Sequence, residues 1–172
     1  MMTSDLVMKL AGPRLHVGIA TADTLENWRL SLVNALPEVA VRVLRGERMV
    51  SDSSLFDEIA AAMQFPYYFG NNWNALTDCM RDLAWMPAKA YVVVVREANL
   101  VQSSDAEGFK LFIRTMDMIA AEWAGNDALY RPWAPGRRPF QVLLHASEGG
   151  RSALEALLSS TGIPYDESYR LS

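Results

Sequence analysis

The sequence predicts an α/β fold, a small parallel sheet packed by helices. Tyr91 to Val95 is an uninterrupted apolar run with four valines, the composition of a strand covered on both faces. Around it, segments of period two and period 3.6 alternate in the order strand, helix, helix, strand, helix, strand. Length sets the scale: 172 residues, 51% hydrophobic and 21% charged, suit one globular domain with additions at its ends.

Each element has its own warrant. Leu15 to Ala20 suits a short strand, and Asp23 with Glu26 suggests a capping box for the helix that follows. In that helix Leu25, Trp28, Leu32, Val33 and Leu36 recur at helical spacing, and Pro37 ends it. Val39, Val41 and Val43 alternate with Ala40 and Arg42, a strand closed by a turn at Arg45, Gly46 and Glu47. Ser51 to Ser54 offers N-caps for a helix with Leu55, Phe56, Ile59, Ala62 and Met63 on one face, stopped by Pro66. A third helix is expected from about Asn72 to Leu83. After the central strand, Phe109, Phe112, Ile113, Met116, Ile119, Ala120 and Trp123 mark a long helix between Gly108 and Trp123. Phe140 to His145 is the last strand. Residues 125–139, rich in Pro, Gly and Arg, read as a surface excursion. Arg151 to Ser159 forms a short amphipathic helix, and fraying is expected beyond Pro164.

Charge and composition exclude several classes of function. With 20 acidic against 16 basic side chains, the formal net charge is -4, the wrong sign for a nucleic-acid binder. One cysteine and nine methionines suit a reducing compartment, so a cytoplasmic protein is expected. No basic leader with an apolar core and no 18-residue apolar run is present, and no membrane association is expected. No metal or cofactor is expected either: His16, His145 and Cys79 lack ligand-pair spacing, and there is no phosphate-binding glycine loop, dinucleotide fingerprint or G-x-S-x-G. An enzyme reading would need Cys79 as nucleophile and His145 as base. Cys79, however, falls on the apolar arc of its helix, where a buried, inert thiol is expected.

The informative stretch is Phe65 to Leu83, FPYYFGNNWNALTDCMRDL. At about 100° per residue, Trp73, Ala75, Leu76, Cys79, Met80 and Leu83 share one half of the helix. Asn74, Thr77, Asp78, Arg81 and Asp82 share the other. Loop aromatics between Pro66 and Gly70, next to a polar helix face, either pack into the core or form an interaction hot spot. From Asp52 to Asp82 there are five acids, Asp52, Asp57, Glu58, Asp78 and Asp82, against one base, Arg81. Such a surface attracts a basic partner.

This stretch resembles the signature of the barstar family, intracellular protein inhibitors of barnase-type bacterial ribonucleases. The likeness lies in Pro, an aromatic pair and Gly, then Asn, Trp, a polar residue, Ala-Leu and Asp-Cys at fixed spacing. In order of elements it extends from about Val39 to Ser147. That leaves Met1 to Glu38 as an N-terminal extension, either an added strand and helix or a cover for the sheet edge, and Glu148 to Ser172 as a tail. The resemblance implies a barstar-like, three-stranded parallel sheet with helices packed on it, and a partner that is a basic, extracellular-type ribonuclease. It makes Tyr68 the loop aromatic, Asn74 and Thr77 contact positions, and Asp78 the principal carboxylate, standing in for RNA phosphate.

Departures from the pattern set the alternative. Asn74 stands where the family usually has an aspartate, Thr77 replaces a tryptophan of the archetype, Phe69 lacks a hydroxyl that some relatives have, and Arg81 adds a positive charge to the face. The acid that relatives supply from the long helix is either Asp117 or Glu122. The alternative reading is an interaction module on the same fold with a partner that is no nuclease. Oligomeric state is left open by the sequence.

Overall fold

The computed structural model describes residues 7–125, 136–167 and 171. Its elements are β1 (Leu15–Ile19), α1 (Ala22–Ala35), β2 (Val39–Arg45), α2 (Asp52–Met63), α3 (Trp73–Asp82), β3 (Ala90–Arg96), α4 (Ala106–Ala124), β4 (Phe140–Ala146) and α5 (Arg151–Ser159). Most of the expected surface excursion, residues 126–135, lies outside the described residues.

Among the described residues the strands form one parallel sheet in the order β1, β4, β3, β2. The expectation of three strands is corrected to four. The N-terminal segment is an added βα unit: β1 pairs with β4 from Leu15 opposite Val142 to Ile19 opposite Ala146. The hydrogen-bonding edge of β4 would otherwise be unpaired, which is the physical reason the extra strand settles there.

Alternation along the strands sorts side chains between two cores. Tyr91, Val93, Val95, Phe140, Val142 and Leu144 face the larger core, which includes the inner faces of α2 to α5. Val41, Val92, Val94 and Leu143 face the other way, where Leu25, Trp28 and Leu32 of α1 cover them. The polar residues of β4, Gln141 and His145, share this second face and are buried with partners. Gln141 Oε1 lies 2.9 Å from His16 Nε2. His145 accepts from the Glu97 amide at Nδ1, at 3.3 Å, and sits 3.1 Å from the Ala20 carbonyl through Nε2.

Two local expectations are corrected. The N-cap of α1 is Thr21, whose hydroxyl accepts from the Thr24 amide at 3.2 Å; Asp23 lies inside the first turn and Glu26 pairs with Arg29. A hydroxyl one residue before the helix has the extended backbone a cap requires, which Asp23 does not. Nor do the described residues directly beyond Pro164 fray. The Asp166 carbonyl accepts from the Val17 amide and its amide donates to the Leu15 carbonyl, both at 2.9 Å, so the tail extends the sheet beyond β1 by one bridge.

The turn after β2 requires its glycine: a Cβ on Gly46 would lie 2.3 Å from the Glu97 carbonyl oxygen. Arg45, at the end of β2, donates both Nε and Nη2 to buried Glu58 of α2, at 2.8 Å each, locking that helix to the sheet. α3 and the turn that follows it are held from below by two satisfied aromatics. Trp123 Nε1 donates to the Met80 carbonyl at 2.8 Å, and the Tyr91 hydroxyl donates to the Met86 carbonyl at 3.0 Å.

Candidate functional site

The loop from Phe65 to Gly70 divides its aromatics. Phe65 and Phe69 pack edge to face at 4.9 Å, and both join a cluster with Phe56 and Trp85. Trp85 is fixed in turn by a 2.9 Å bond from Nε1 to the Met63 carbonyl. Tyr67 and Tyr68 point outward instead, with relative exposures of 101% and 64% and rings 5.7 Å apart. The missing hydroxyl of Phe69 suits its place inside. Tyr67, which the sequence left as a possible core plug, is the most exposed aromatic among the described residues.

α3 begins at a well-made cap. Asn72 accepts from the Ala75 amide at 2.9 Å through Oδ1 and donates to the Gly70 carbonyl at 3.1 Å. Trp73 lies edge to face on Phe56 at 5.2 Å and donates Nε1 to Asp52. Asp52 also accepts from Gln102 at 2.8 Å. These contacts orient the helix, so that Leu76, Cys79, Met80 and Leu83 are buried and Asn74 and Asp78 are exposed.

Asn74, Thr77, Asp78 and Arg81 come together, with Met118 of α4, around an open groove of about 450 Å³ between α3 and α4. Tyr68 is not among its lining residues. Asp78 is the exposed carboxylate, with 78% of its side chain accessible. Thr77 is half-buried and its hydroxyl donates to the Trp73 carbonyl at 2.8 Å, so it turns its polarity back into the helix.

Arg81, read from the sequence as a positive charge added to the face, is paired in the structure. It donates from Nε and Nη2 to Glu122 of α4, at 2.5 and 2.7 Å, and its Nη1 lies 3.8 Å from Asp78 Oδ1. The guanidinium is thus neutralised by an acid 41 positions away. Glu122, and not Asp117, is therefore the α4 acid on this face. Burial raises the Asp117 carboxyl above its ordinary value, against the smaller opposing pull of the Arg14 guanidinium. The acidic segment is likewise less bare than its charge count suggests, because Glu58 is held by Arg45, which keeps its carboxyl below the usual range. Met118, 39% exposed, and Leu111, 44% exposed, escaped the sequence reading. Their signal was legible, since two large apolar residues lie outside the apolar stripe of α4.

The thiol chemistry is unpromising. Cys79 is buried, and burial followed by the neighbouring Asp78 and Asp82 charges pushes its thiol up, away from the thiolate a nucleophile needs. Both ring nitrogens of His145 are engaged by backbone groups, and burial lowers its pKa. No described helix is long and apolar enough to cross a membrane.

A family model described as Barstar (barnase inhibitor) matches residues 39–145. No curated protein matches the chain. Among solved structures, the chain is similar to the ORC2 protein of Aeropyrum pernix in its ADP form, with a TM-score of 0.58 at 14% identity over 94% of this chain and 43% of that one. The same protein in its ADPNP-ADP complexes gives 0.60 at 14% identity, over 98% and 43%. This chain thus spans less than half the length of those structures, and at this identity the likeness is one of fold.

Proposed function

The chain belongs to the barstar family, and on that premise we propose that it is an inhibitor that binds and blocks a basic bacterial ribonuclease, protecting the cell that makes both. The observation that carries this is Asp78, an exposed carboxylate at the position of the family's principal acid, held on a helix whose other side is locked into the core. A carboxylate so placed is prepared to accept charge-assisted hydrogen bonds from arginine or lysine in a nuclease cleft that otherwise grips phosphate. Tyr67 and Tyr68 add rigid, amphipathic contact area beside it.

A second reading has its own observation. Asn74 is neutral and Arg81 is paired, so the groove shows one exposed carboxylate where the family pattern has more acid. That favours an interaction module whose partner is not a nuclease. RNA hydrolysis by a panel of secreted basic ribonucleases, barnase included, measured while the chain is titrated in, separates the two. The inhibitor reading predicts loss of activity of at least one nuclease at one-to-one stoichiometry. Full activity of every nuclease at micromolar excess of the chain would favour the second reading.

A further inference from the structure

The face between α3 and α4 offers one carboxylate and withholds another. Both oxygens of Glu122 are taken by Arg81 in a two-point fork at 2.5 and 2.7 Å, and each side chain is about one-quarter exposed, at 25% and 24%. A planar guanidinium and a carboxylate in this geometry form a directional pair that a single ammonium or guanidinium from outside does not readily displace. A partner cation that captured Glu122 would also set Arg81 against it, with the guanidinium turned from Glu122 toward Asp78, 3.8 Å away, the carboxylate the partner needs. The rest of the groove is neutral: Asn74, Thr77 with its hydroxyl turned inward, and Met118.

We infer that the Arg81–Glu122 pair sets partner specificity by holding the α4 carboxylate out of the interface. The face then fits a ribonuclease that brings one cation to Asp78 with neutral or apolar surface around it, a side chain over Met118 included. It disfavours a nuclease whose cleft presents a cluster of cations. This rests on the reading of the face as a nuclease-binding surface and names the kind of nuclease.

Barnase, whose association with its own inhibitor is the reference case of electrostatic steering, is the probe. Binding of barnase to wild-type chain, Arg81→Met, Glu122→Gln and the double variant Arg81→Met/Glu122→Gln is measured by calorimetry at low and at physiological salt, with a thermal melt of each protein. Arg81→Met removes the guanidinium that forks onto Glu122 and should bind at least about tenfold tighter than wild type, with a steeper loss of affinity as salt rises. The double variant restores the wild-type net charge and should return to within about threefold of wild type. Glu122→Gln leaves Arg81 facing the cleft and should bind at least about tenfold weaker.

Three results overturn the inference: Arg81→Met no tighter than wild type, the double variant as tight as Arg81→Met, or Glu122→Gln unchanged. Should Arg81→Met melt too low to use, Glu122→Gln and the double variant decide alone. Adding Asp78→Ala to the Arg81→Met background keeps the two readings apart. If that addition abolishes binding while the specificity results fail, the pair is scaffold and the inhibitor reading stands. If Arg81→Met binds barnase and the addition changes nothing, the inhibitor reading itself fails.

Discussion

Tyr68 and Phe69 are adjacent aromatics with opposite tasks. Tyr68 is 64% exposed with its ring against Tyr67, whereas Phe69 packs on Phe56 and Phe65. Tyr68→Ala should therefore cost about 1 to 4 kcal/mol of partner affinity and leave the melting temperature nearly unchanged. Phe69→Ala should do the reverse, lowering stability by about 2 to 4 kcal/mol through the cavity it leaves. Calorimetry of the complex and denaturant unfolding of the free chain check the pair, and an unstable Tyr68→Ala with full affinity would move Tyr68 into the scaffold. The buried histidines make a separate prediction. Burial lowers the pKa of both His16 and His145 from the ordinary 6.5. The unfolded chain then takes up protons before the folded one, so stability is complete above pH 6.5 and is lost as pH falls below it. Asp117, raised by burial, opposes this as one group against two. Urea midpoints at about pH 7.5 and 5.5 should fall on acidification, and a rise would contradict the buried neutral state of the two rings.

At the scale of elements, α3 was the most legible part of the chain. Its wheel separated Leu76, Cys79 and Met80 from Asn74 and Asp78, and the structure buries the first set and exposes the second. That follows because the amphipathic period of a helix is a local property, written within three turns. Cys79 should accordingly react with thiol reagents far more slowly in the folded chain than in urea. Labelling at the rate of a free thiol would return it to the candidates for chemistry. The role of Arg81 was not legible, because its partner Glu122 lies on another helix 41 residues on and no local pattern records the pairing. The cap of α1 was misassigned for a smaller reason: Thr21 and Asp23 are both good capping types, and only the backbone at Thr21 is extended. Tyr67 needed the tertiary structure to show that it points outward, whereas Met118 lies outside the apolar stripe of α4 and could have been read from its spacing.

For the whole molecule, the parts outside the family match complete the sheet. β1 covers the edge of β4, α1 closes the second face, and the tail is bonded to β1 through Asp166 while Ile163 and Tyr165 pack against the main core. Ending the chain after Gly162 removes those two backbone bonds and the packing of Ile163 and Tyr165. It should lower stability by about 1 to 3 kcal/mol and speed amide exchange at Val17; unchanged exchange there would show that the tail adds nothing. The fold so completed presents Asp78 on a rigid helix, and the central claim is that this carboxylate is what a basic nuclease binds. The most direct test is the affinity of Asp78→Ala for a nuclease that the wild-type chain inhibits, read beside its melting temperature. The substitution should cost about 2 to 5 kcal/mol of binding, because the nuclease cation would be left buried and unpaired, while the melt barely moves. Wild-type affinity in Asp78→Ala would contradict the account.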